Sequence, residues 1–178
     1  MTSSTWASLE EQLEQIERPT SAFKLCRKPD VRERYLAAQR DFEQAAGRLK
    51  QIKGSEQVID VDTLAAFEKQ HKDAKTELTA AQKAYDACTV VLRFTALERK
   101  ELEKLQNQHP ASEEEEEKGE GFAMDTFAPA LISAASLDGM PVEKARQYLD
   151  TWSTADAGDL WRAAWSIQHQ RRTDLGKG

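Results

Sequence analysis

Two runs of apolar residues, each with alternating spacings of three and four, limit the folds open to this chain more than any other feature. Such spacings place side chains along one stripe of an α-helix, as in coiled coils. The first seam consists of Val31, Tyr35, Ala38, Phe42, Ala45, Leu49 and Ile52, and the second of Leu64, Phe67, His71, Ala74, Leu78, Ala81, Tyr85, Cys88 and Leu92. Each run therefore predicts one long amphipathic helix.

The two predicted helices are expected to fold back on each other. Residues 54–61, which connect them, are few, so an antiparallel hairpin is predicted. The register that best matches the side chains pairs Ile52/Leu64, Leu49/Phe67, Ala45/His71, Phe42/Ala74, Ala38/Leu78, Tyr35/Ala81 and Val31/Tyr85. Five of these seven pairs set a small or β-branched residue against a larger one, as an interface of constant width requires. His71 is accordingly interpreted as a seam residue rather than a catalytic one.

Capping signals predict where the long helices begin and end. Asp30, followed by Glu33, has the pattern of a capping box for the first helix. Asp62 or Thr63 is expected to open the second helix, and Gly54 to stop the first.

Two short segments beside the hairpin are rich in strand-forming residues. Residues 21–26 (SAFKLC) alternate apolar and polar side chains, which favours a short strand. For residues 89–94 two alternatives stay open: either the second long helix continues through them, or they form a strand that pairs with residues 21–26. The hairpin would bring these two segments close together.

Shorter helices are predicted on either side of this region. Thr95 with Glu98 has the capping-box pattern of a charged helix that ends at Pro110. At the start of the chain an amphipathic helix, ended by Pro19, carries Trp6, Leu9, Leu13 and Ile16 on one face.

Residues 122–170 predict three short helices that pack into a small module. Asp125 can cap the first of them, with Pro129 in its first turn. Pro141 suits the first turn of the second helix, and Asp156 is expected to cap the third. Helices this short form a marginal core, which burial of aromatic side chains must largely supply.

Residues 111–121, ASEEEEEKGEG, carry nearly all of the excess charge of the chain. One lysine and six glutamates give them a net charge of −5, against −6 for the whole chain. Such a run repels itself and is expected to stay solvated and mobile. It is interpreted as a flexible hinge that lets the hairpin and the C-terminal module reorient, or as a tolerated insertion that only adds solubility.

These signals together predict a mainly α protein: an antiparallel helical hairpin plus a small three-helix C-terminal module, with room for one short two-stranded β ribbon. The expected divisions are an N-terminal extension at residues 1–18, a hairpin domain at 19–110, the acidic linker at 111–121, the C-terminal module at 122–170 and a tail at 171–178.

Composition and motifs argue against several functional classes. Basic and acidic residues balance over residues 1–110, so no basic surface for nucleic acid is expected, and the start of the chain resembles neither a signal peptide nor a membrane anchor. The three histidines are scattered, and the sequence has no phosphate-binding loop, nucleophile motif or metal-ligand spacing. No enzyme activity, cofactor or metal is therefore expected. Cys26 and Cys88 are interpreted as reduced thiols, with a disulfide between them as the minor alternative.

Four stretches resemble the tail assembly chaperones of long-tailed phages, especially those that infect actinobacteria. They cover roughly residues 18–170, and neither the helix before Pro19 nor the glutamate run belongs to the likeness. The stretches are Arg18–Pro19–Thr20 leading into Phe23–Lys24–Leu25–Cys26, Val91–Leu92–Arg93–Phe94–Thr95–Ala96–Leu97 ahead of His109–Pro110, the run from Asp125 to Ser136, and Trp152–Ser153 with Asp159–Leu160–Trp161.

This resemblance implies a non-enzymatic role in the host cytoplasm. Chaperones of this family bind the long helical tape measure protein, keep it soluble, help tail tube subunits assemble around it, and are generally absent from the mature virion. A chaperone covers exposed apolar helix stripes with its own helical faces. The candidate partner-binding residues are Phe122, Phe127, Trp152, Trp161 and Trp165. Self-association stays open, and no nucleic-acid or membrane partner is expected.

The resemblance also bears on how the protein is made and on an alternative role. Many members are produced in a short and a long form by programmed ribosomal frameshifting, and the terminal Leu175–Gly176–Lys177–Gly178 could be encoded by the runs of G and A that slippery sites contain. The alternative function is a structural or scaffolding coiled-coil adaptor of the phage tail, which would use the same heptads to form permanent oligomers.

Overall fold

The structure, a computed structural model, describes residues 5–54, 60–119 and 121–173. Over these residues the chain is mainly α-helical with one small antiparallel two-stranded sheet, which confirms the predicted fold class. The elements are α1 (Trp6–Glu14), β1 (Thr20–Cys26), α2 (Pro29–Lys53), α3 (Val61–Cys88), β2 (Thr89–Thr95), α4 (Arg99–Asn107), α5 (Glu113–Glu117), α6 (Met124–Ala135), α7 (Val142–Thr151), α8 (Thr154–Ser166) and a turn of 3-10 helix (Ile167–His169). Most of the predicted helix connection and the chain end at Leu175–Gly178 lie outside the described residues.

The chain forms two compact units, whose boundary differs from the predicted one. The hairpin unit is Lys24–Val91, and the terminal unit combines Met1–Phe23 with Leu92–Gly178. Residues 92–110, predicted as part of the hairpin domain, therefore belong with the C-terminal helices. The physical reason is apolar burial, because Phe94 is completely enclosed in the terminal unit and α4 packs against α6 there.

The hairpin unit is built from α2 packed along α3. Every predicted seam residue within these two helices is buried or half-buried, which confirms both stripes. The most enclosed of them are small: Ala38, Ala45, Ala81 and Cys88 are each less than a tenth exposed. Small residues let the two helix backbones approach closely, while the longer seam side chains stay partly in contact with solvent.

Two aromatic contacts agree with the predicted antiparallel register. The rings of Tyr35 and Tyr85 stack with their centroids 4.6 Å apart, and those of Phe42 and His71 are 5.2 Å apart. Each of these contacts is one seam position away from the predicted facing pairs, as expected when a side chain packs between two residues of the partner helix. His71 is thus a half-buried seam residue, as predicted.

The predicted N-cap of α2 is wrong. The helix begins at Pro29 with Lys28 as its N-cap, so Asp30 lies inside the first turn instead of capping it. Proline is favoured at the first helical position because it has no N–H to leave unpaired and its φ angle already suits a helix. Asp30 then contributes only the negative charge that suits a helix start.

The second long helix also begins earlier than predicted. Asp60, rather than Asp62 or Thr63, is its N-cap, and the Asp60 carboxylate accepts a hydrogen bond from the Thr63 N–H at 2.8 Å. Hydrogen bonds from the side chain and the backbone of Thr63 lower the pKa of Asp60.

β1 and β2 pair in the sheet, so the strand alternative for residues 89–94 is confirmed and a helix continuing through them is wrong. Backbone hydrogen bonds set the register at both ends of the ribbon. The Arg27 N–H donates to the Cys88 carbonyl at 3.0 Å, and the Ala96 N–H donates to the Pro19 carbonyl at 3.1 Å. The β-branched residues of this stretch pack better on a pleated strand than on a helix.

The N-cap of α4 lies three residues later than predicted, because β2 extends to Thr95. Thr95 is the last residue of β2, and Glu98 is the N-cap of α4. The Glu101 carboxylate accepts a hydrogen bond from the Glu98 N–H at 3.1 Å. Arg18 forms an ion pair with Glu98 at 2.5 Å, which ties the segment before β1 to the start of α4.

The three predicted C-terminal helices are present as α6, α7 and α8, and α7 starts where predicted, with Glu143 in its first turn, but the predicted caps of α6 and α8 are wrong. Asp125 lies in the first turn of α6 rather than at its cap, and Pro129 lies inside that helix rather than in its first turn. Pro141 is the N-cap of α7. Ser153 caps α8 by accepting a hydrogen bond from the Asp156 N–H at 3.2 Å, so α8 starts before the predicted Asp156 cap.

The core of the terminal unit lies where α6 packs against α4, α7 and α8. Its largest completely buried side chains are Phe94, Phe127, Leu131, Ile132 and Leu160, together with Pro129. Phe94 also forms an antiparallel bridge with Ser136, so the chain after α6 extends the edge of β2. The Gln168 side chain accepts a hydrogen bond from the Leu97 N–H at 2.8 Å and donates to the Thr95 carbonyl at 3.2 Å, which joins the 3-10 turn after α8 to the end of β2.

Candidate functional site

An open groove of about 740 Å³ lies in the terminal unit, lined by the start of α6, the end of α7 and the start of α8. Its apolar lining includes Ala128, Pro129, Leu149, Trp152, Ala157 and Trp161. The charged side chains of Asp125, Arg146 and Asp150 line it as well. Aromatic and aliphatic surface combined with charges of both signs suits the face of an amphipathic helix better than a purely apolar ligand.

The short connection between α7 and α8 positions the aromatic part of this groove. Only Trp152 and Ser153 separate the two helices, and the Ser153 cap starts α8 at once. Trp152 from this turn and Trp161 from α8 therefore line the same groove. Gly158, between them on α8, leaves part of the groove open because a Cβ added there would meet no atom within 4 Å.

Four of the five predicted partner-binding residues form one aromatic cluster. Trp161 and Trp165 stack on successive turns of α8 with centroids 5.3 Å apart, and Phe122 lies 5.4 Å from Trp165. The Phe127 ring lies 4.1 Å from Phe122 and 5.9 Å from Trp165. Phe127 is completely buried, so it cannot reach a partner and serves as the core of the cluster instead.

Trp152, the fifth predicted residue, packs elsewhere. Its ring stacks on Tyr148 at 4.5 Å and lies 5.9 Å from Phe23. Of the five predicted residues, Trp152 and Trp161 line the groove, and both are half-buried. Part of each indole is therefore accessible to a partner, while the rest anchors the side chain in the unit.

The acidic run lies in a closed loop within the terminal unit. Glu113–Glu117 form α5, and the N–H and hydroxyl groups of Ser112 donate hydrogen bonds to the Glu115 carboxylate at 2.8 and 2.9 Å. These hydrogen bonds, the one from the backbone first, lower the pKa of Glu115. Beyond the run, the Ala123 N–H donates to the His109 carbonyl at 2.9 Å. The residues on both sides of the run thus meet, which is not the arrangement of the predicted hinge between two modules.

Two cysteines that are distant in the sequence are neighbours in the hairpin unit. The Sγ atoms of Cys26 and Cys88 are 3.1 Å apart, and both residues are free thiols, as predicted. Partial burial alone would raise the pKa of the Cys26 thiol, but hydrogen bonds with the Cys88 side chain, the Lys28 backbone and the Thr89 side chain, and last the positive charge of Arg32, outweigh it and hold the pKa below the ordinary value. The hydrogen bond with Cys26, together with burial, raises the pKa of Cys88. No sequence motif marks this pair, although the predicted strand pairing places the two residues at one end of the ribbon.

Within the described ranges, no three His, Cys, Asp or Glu side chains are grouped so as to hold a metal ion. No helix in this part of the chain is both long and apolar enough to cross a membrane. No protein-family model matches the chain, and comparisons with curated proteins and with solved structures give no significant match. The groove and the cysteine pair are therefore interpreted from their own geometry.

Proposed function

We propose that this protein is a tail assembly chaperone of a long-tailed phage, which binds the tape measure protein, keeps it soluble in the host cytoplasm and helps tail tube subunits assemble around it. The observation that carries the proposal is the open groove lined by Leu149, Trp152 and Trp161. A tape measure protein is expected to present long amphipathic helices, whose apolar stripes aggregate unless they are covered. A groove with this lining can hold such a stripe in the helix-in-groove mode.

The charges of the terminal unit are compatible with a helical client. The groove can pair with charged side chains that flank the apolar stripe of a client helix. Asp125 and Asp150 can pair with basic side chains, and Arg146 can pair with acidic ones. The exposed glutamates of α5 add negative charge to the same unit, which discourages self-association and binding to nucleic acid.

Co-expression tests this function directly. The tape measure protein encoded in the same genome is produced with and without this chain, and its soluble fraction is measured after cell lysis. A several-fold increase in soluble tape measure protein is expected, because covered apolar stripes cannot aggregate. An unchanged soluble fraction would show that the protein is not a chaperone of this client. The neighbouring genes give a second check, since a tail tube gene and a very long tape measure gene are expected on either side.

Gly158→Leu tests whether the groove is where the client binds. The new side chain would enter open space within the groove, and replacing a glycine inside α8 favours the helix by about 1 kcal/mol. The variant should therefore fold at least as well as the wild type but solubilise much less tape measure protein.

Gly47→Leu is the matched control, because Gly47 also lies inside a helix, α2, and a Cβ there would meet nothing within 4 Å. It should behave like the wild type. Gly158→Ala separates the volume of the leucine from the loss of glycine and should retain most of the activity. Equal client solubility with Gly158→Leu and Gly47→Leu would exclude the groove as the client site.

A structural or scaffolding adaptor of the tail is the second candidate, and α1 favours it. The α1 side chains of Trp6, Leu9 and Leu13 are 68%, 39% and 55% exposed, and a permanent oligomer would bury such a stripe. Light scattering after gel filtration of the wild type and of Leu13→Ser measures the oligomeric state, and an immunoblot of purified virions detects a retained component. A stable oligomer lost in Leu13→Ser, together with a signal in virions, would favour the adaptor over the chaperone.

A further inference from the structure

Two thiols that are far apart in the sequence meet at one end of the hairpin unit. Cys26 is the last residue of β1 and Cys88 is the last residue of α3. Their Sγ atoms lie 3.1 Å apart, so only a small shift is needed to reach the bond length of about 2.05 Å of a disulfide. Cys26 is half-buried, whereas Cys88 is only 7% exposed. Cys26 is thus the more exposed residue of the pair.

We propose that Cys26 and Cys88 form a dithiol site that reacts with low-molecular-weight disulfides and closes an intramolecular disulfide across the open end of the hairpin. Cys26 is the attacking residue and Cys88 is the resolving residue. The backbones that carry the two cysteines are already hydrogen-bonded next to the pair, because the Arg27 N–H donates to the Cys88 carbonyl at 3.0 Å.

The reaction is two successive thiol–disulfide exchanges. The Cys26 thiolate attacks one sulfur of a small disulfide RSSR, which breaks the S–S bond, releases RS⁻ and forms a mixed disulfide on Cys26. The released RS⁻ takes the proton of Cys88, and the Cys88 thiolate then attacks the Cys26 sulfur and expels the second RS⁻, which is protonated by water. The two protein thiols lose two electrons in total, and the small disulfide gains them as two thiols.

The order of attack follows from the electrostatics of the two groups. Hydrogen bonds with Cys88, the Lys28 backbone and Thr89 lower the pKa of Cys26, so more of this residue is the reactive thiolate at neutral pH. Cys88 has a raised pKa and little exposure, so it reacts poorly with an outside disulfide. It is, however, within 3.1 Å of the sulfur that it must attack.

Closing this bond would constrain the hairpin unit strongly. α2 begins just after Cys26 and α3 ends at Cys88, so the disulfide would tie the two helices together where they enter and leave the hairpin. A cross-link that encloses a whole hairpin removes much of the chain entropy of the unfolded state. The thermal midpoint should rise by on the order of 10 °C in the oxidised protein.

The test uses the full chain and oxidised glutathione. After incubation, unfolding and thiol titration, both thiols should be gone, the intact mass should fall by two hydrogen atoms, and a non-reducing gel should show a monomer. Far-ultraviolet circular dichroism should give the higher melting midpoint, and dithiothreitol should reverse it. Two remaining thiols, a cross-linked dimer or an unchanged midpoint in the oxidised monomer would each overturn the proposal.

Single variants test the assigned roles. Cys88→Ser should accumulate one glutathione on Cys26, because no resolving thiol is present. Cys26→Ser should acquire glutathione on Cys88 several-fold more slowly, because the remaining thiol is buried. Equal rates for the two variants would contradict the assignment of Cys26 as the attacking residue. The main test compares the wild-type protein before and after oxidation. A folding defect in Cys88→Ser or Cys26→Ser therefore does not affect it.

Discussion

The hairpin unit and the terminal unit bury different kinds of side chain. In the hairpin unit the most enclosed residues are small, namely Ala38, Ala45, Ala81 and Cys88. In the terminal unit large side chains are completely buried as well as small ones, namely Phe94, Phe127, Leu131, Ile132 and Leu160 beside Ala135, Ala145 and Ala164. Two helices can enclose only the narrow strip between them, whereas several helices and a strand can surround a ring on all sides. The difference teaches that a regular heptad pattern does not by itself create a deep core.

A matched pair of phenylalanines should show this difference most clearly. Phe94 is completely buried in the terminal unit, whereas Phe42 is half-buried in the hairpin unit. Phe94→Ala should lower the free energy of unfolding by about 3–5 kcal/mol, because it leaves a cavity that the surroundings cannot fill. Phe42→Ala should cost about 1–2 kcal/mol, because less apolar surface is lost.

Urea unfolding measures both effects. Tryptophan fluorescence reports on the terminal unit, since all four tryptophans lie in its segments, and circular dichroism reports on all the helices. Equal losses for the two variants would mean that the hairpin core is as deep as the other one.

Overpacking should reveal how narrow the hairpin interface is. Ala81 is 1% exposed, so Ala81→Leu forces α2 and α3 apart and should cost about 1–3 kcal/mol. Ala80 is exposed on the same helix, and Ala80→Leu should have almost no effect. The melting midpoint of each variant, followed by circular dichroism, makes the comparison. A tolerated Ala81→Leu would show that the seam has room for larger residues.

Removing the N-cap of α8 tests whether the loss of one local hydrogen bond costs less stability than the loss of a buried side chain. The Ser153 hydroxyl accepts the Asp156 N–H at the start of α8, so Ser153→Ala should cost about 1 kcal/mol. The neighbouring Thr154 is exposed, and Thr154→Ala serves as the control. The free energy of unfolding of both variants is measured by urea unfolding followed by tryptophan fluorescence. A decrease for Ser153→Ala as large as that for Phe94→Ala would mean that the cap stabilises the core of the terminal unit as well as α8.

The smallest expected effect concerns the ion pair between Arg93 and Asp138, which are 2.7 Å apart at the edge of the terminal unit. Hydrogen bonds from the Arg93 side chain and backbone lower the pKa of Asp138. A carboxyl group with a lower pKa in the folded state stabilises the protein above its ordinary pKa of about 4, and this contribution is lost as the pH falls through the folded value. Asp138→Asn should therefore melt slightly below the wild type at pH 7, and the difference should vanish in acid. A difference that persists well below the ordinary pKa would rule out the carboxylate charge as its cause.

The structure agrees with the sequence where a local repeating pattern carried the information. The seams of α2 and α3 are predictable because helical periodicity appears in residues close together in the sequence. β1 is predictable because apolar and polar residues alternate along it. Helix starts were predicted less well. At the start of α2, Pro29 takes the first helical position ahead of Asp30, and at the start of α8, Ser153 takes the cap three residues before Asp156.

The candidate site was only partly predictable for a related reason. Aromatic residues in short helices pointed to Trp152 and Trp161, but nothing local could show that Phe127 would be completely enclosed while those two line a groove. Gly158 also lines the groove, and the sequence does not predict that the space beside its Cα is empty.

The sequence by itself determined two long amphipathic helices, the strand before them and the concentration of negative charge in one short run, because each is written in consecutive residues. Only the tertiary structure decided that residues 92–110 join the C-terminal helices, that His109 and Ala123 on either side of the acidic run meet, and that Cys26 meets Cys88. These outcomes depend on distances between residues far apart in the chain. Such distances are set by which apolar surfaces are buried together, a property of the whole fold rather than of any one segment.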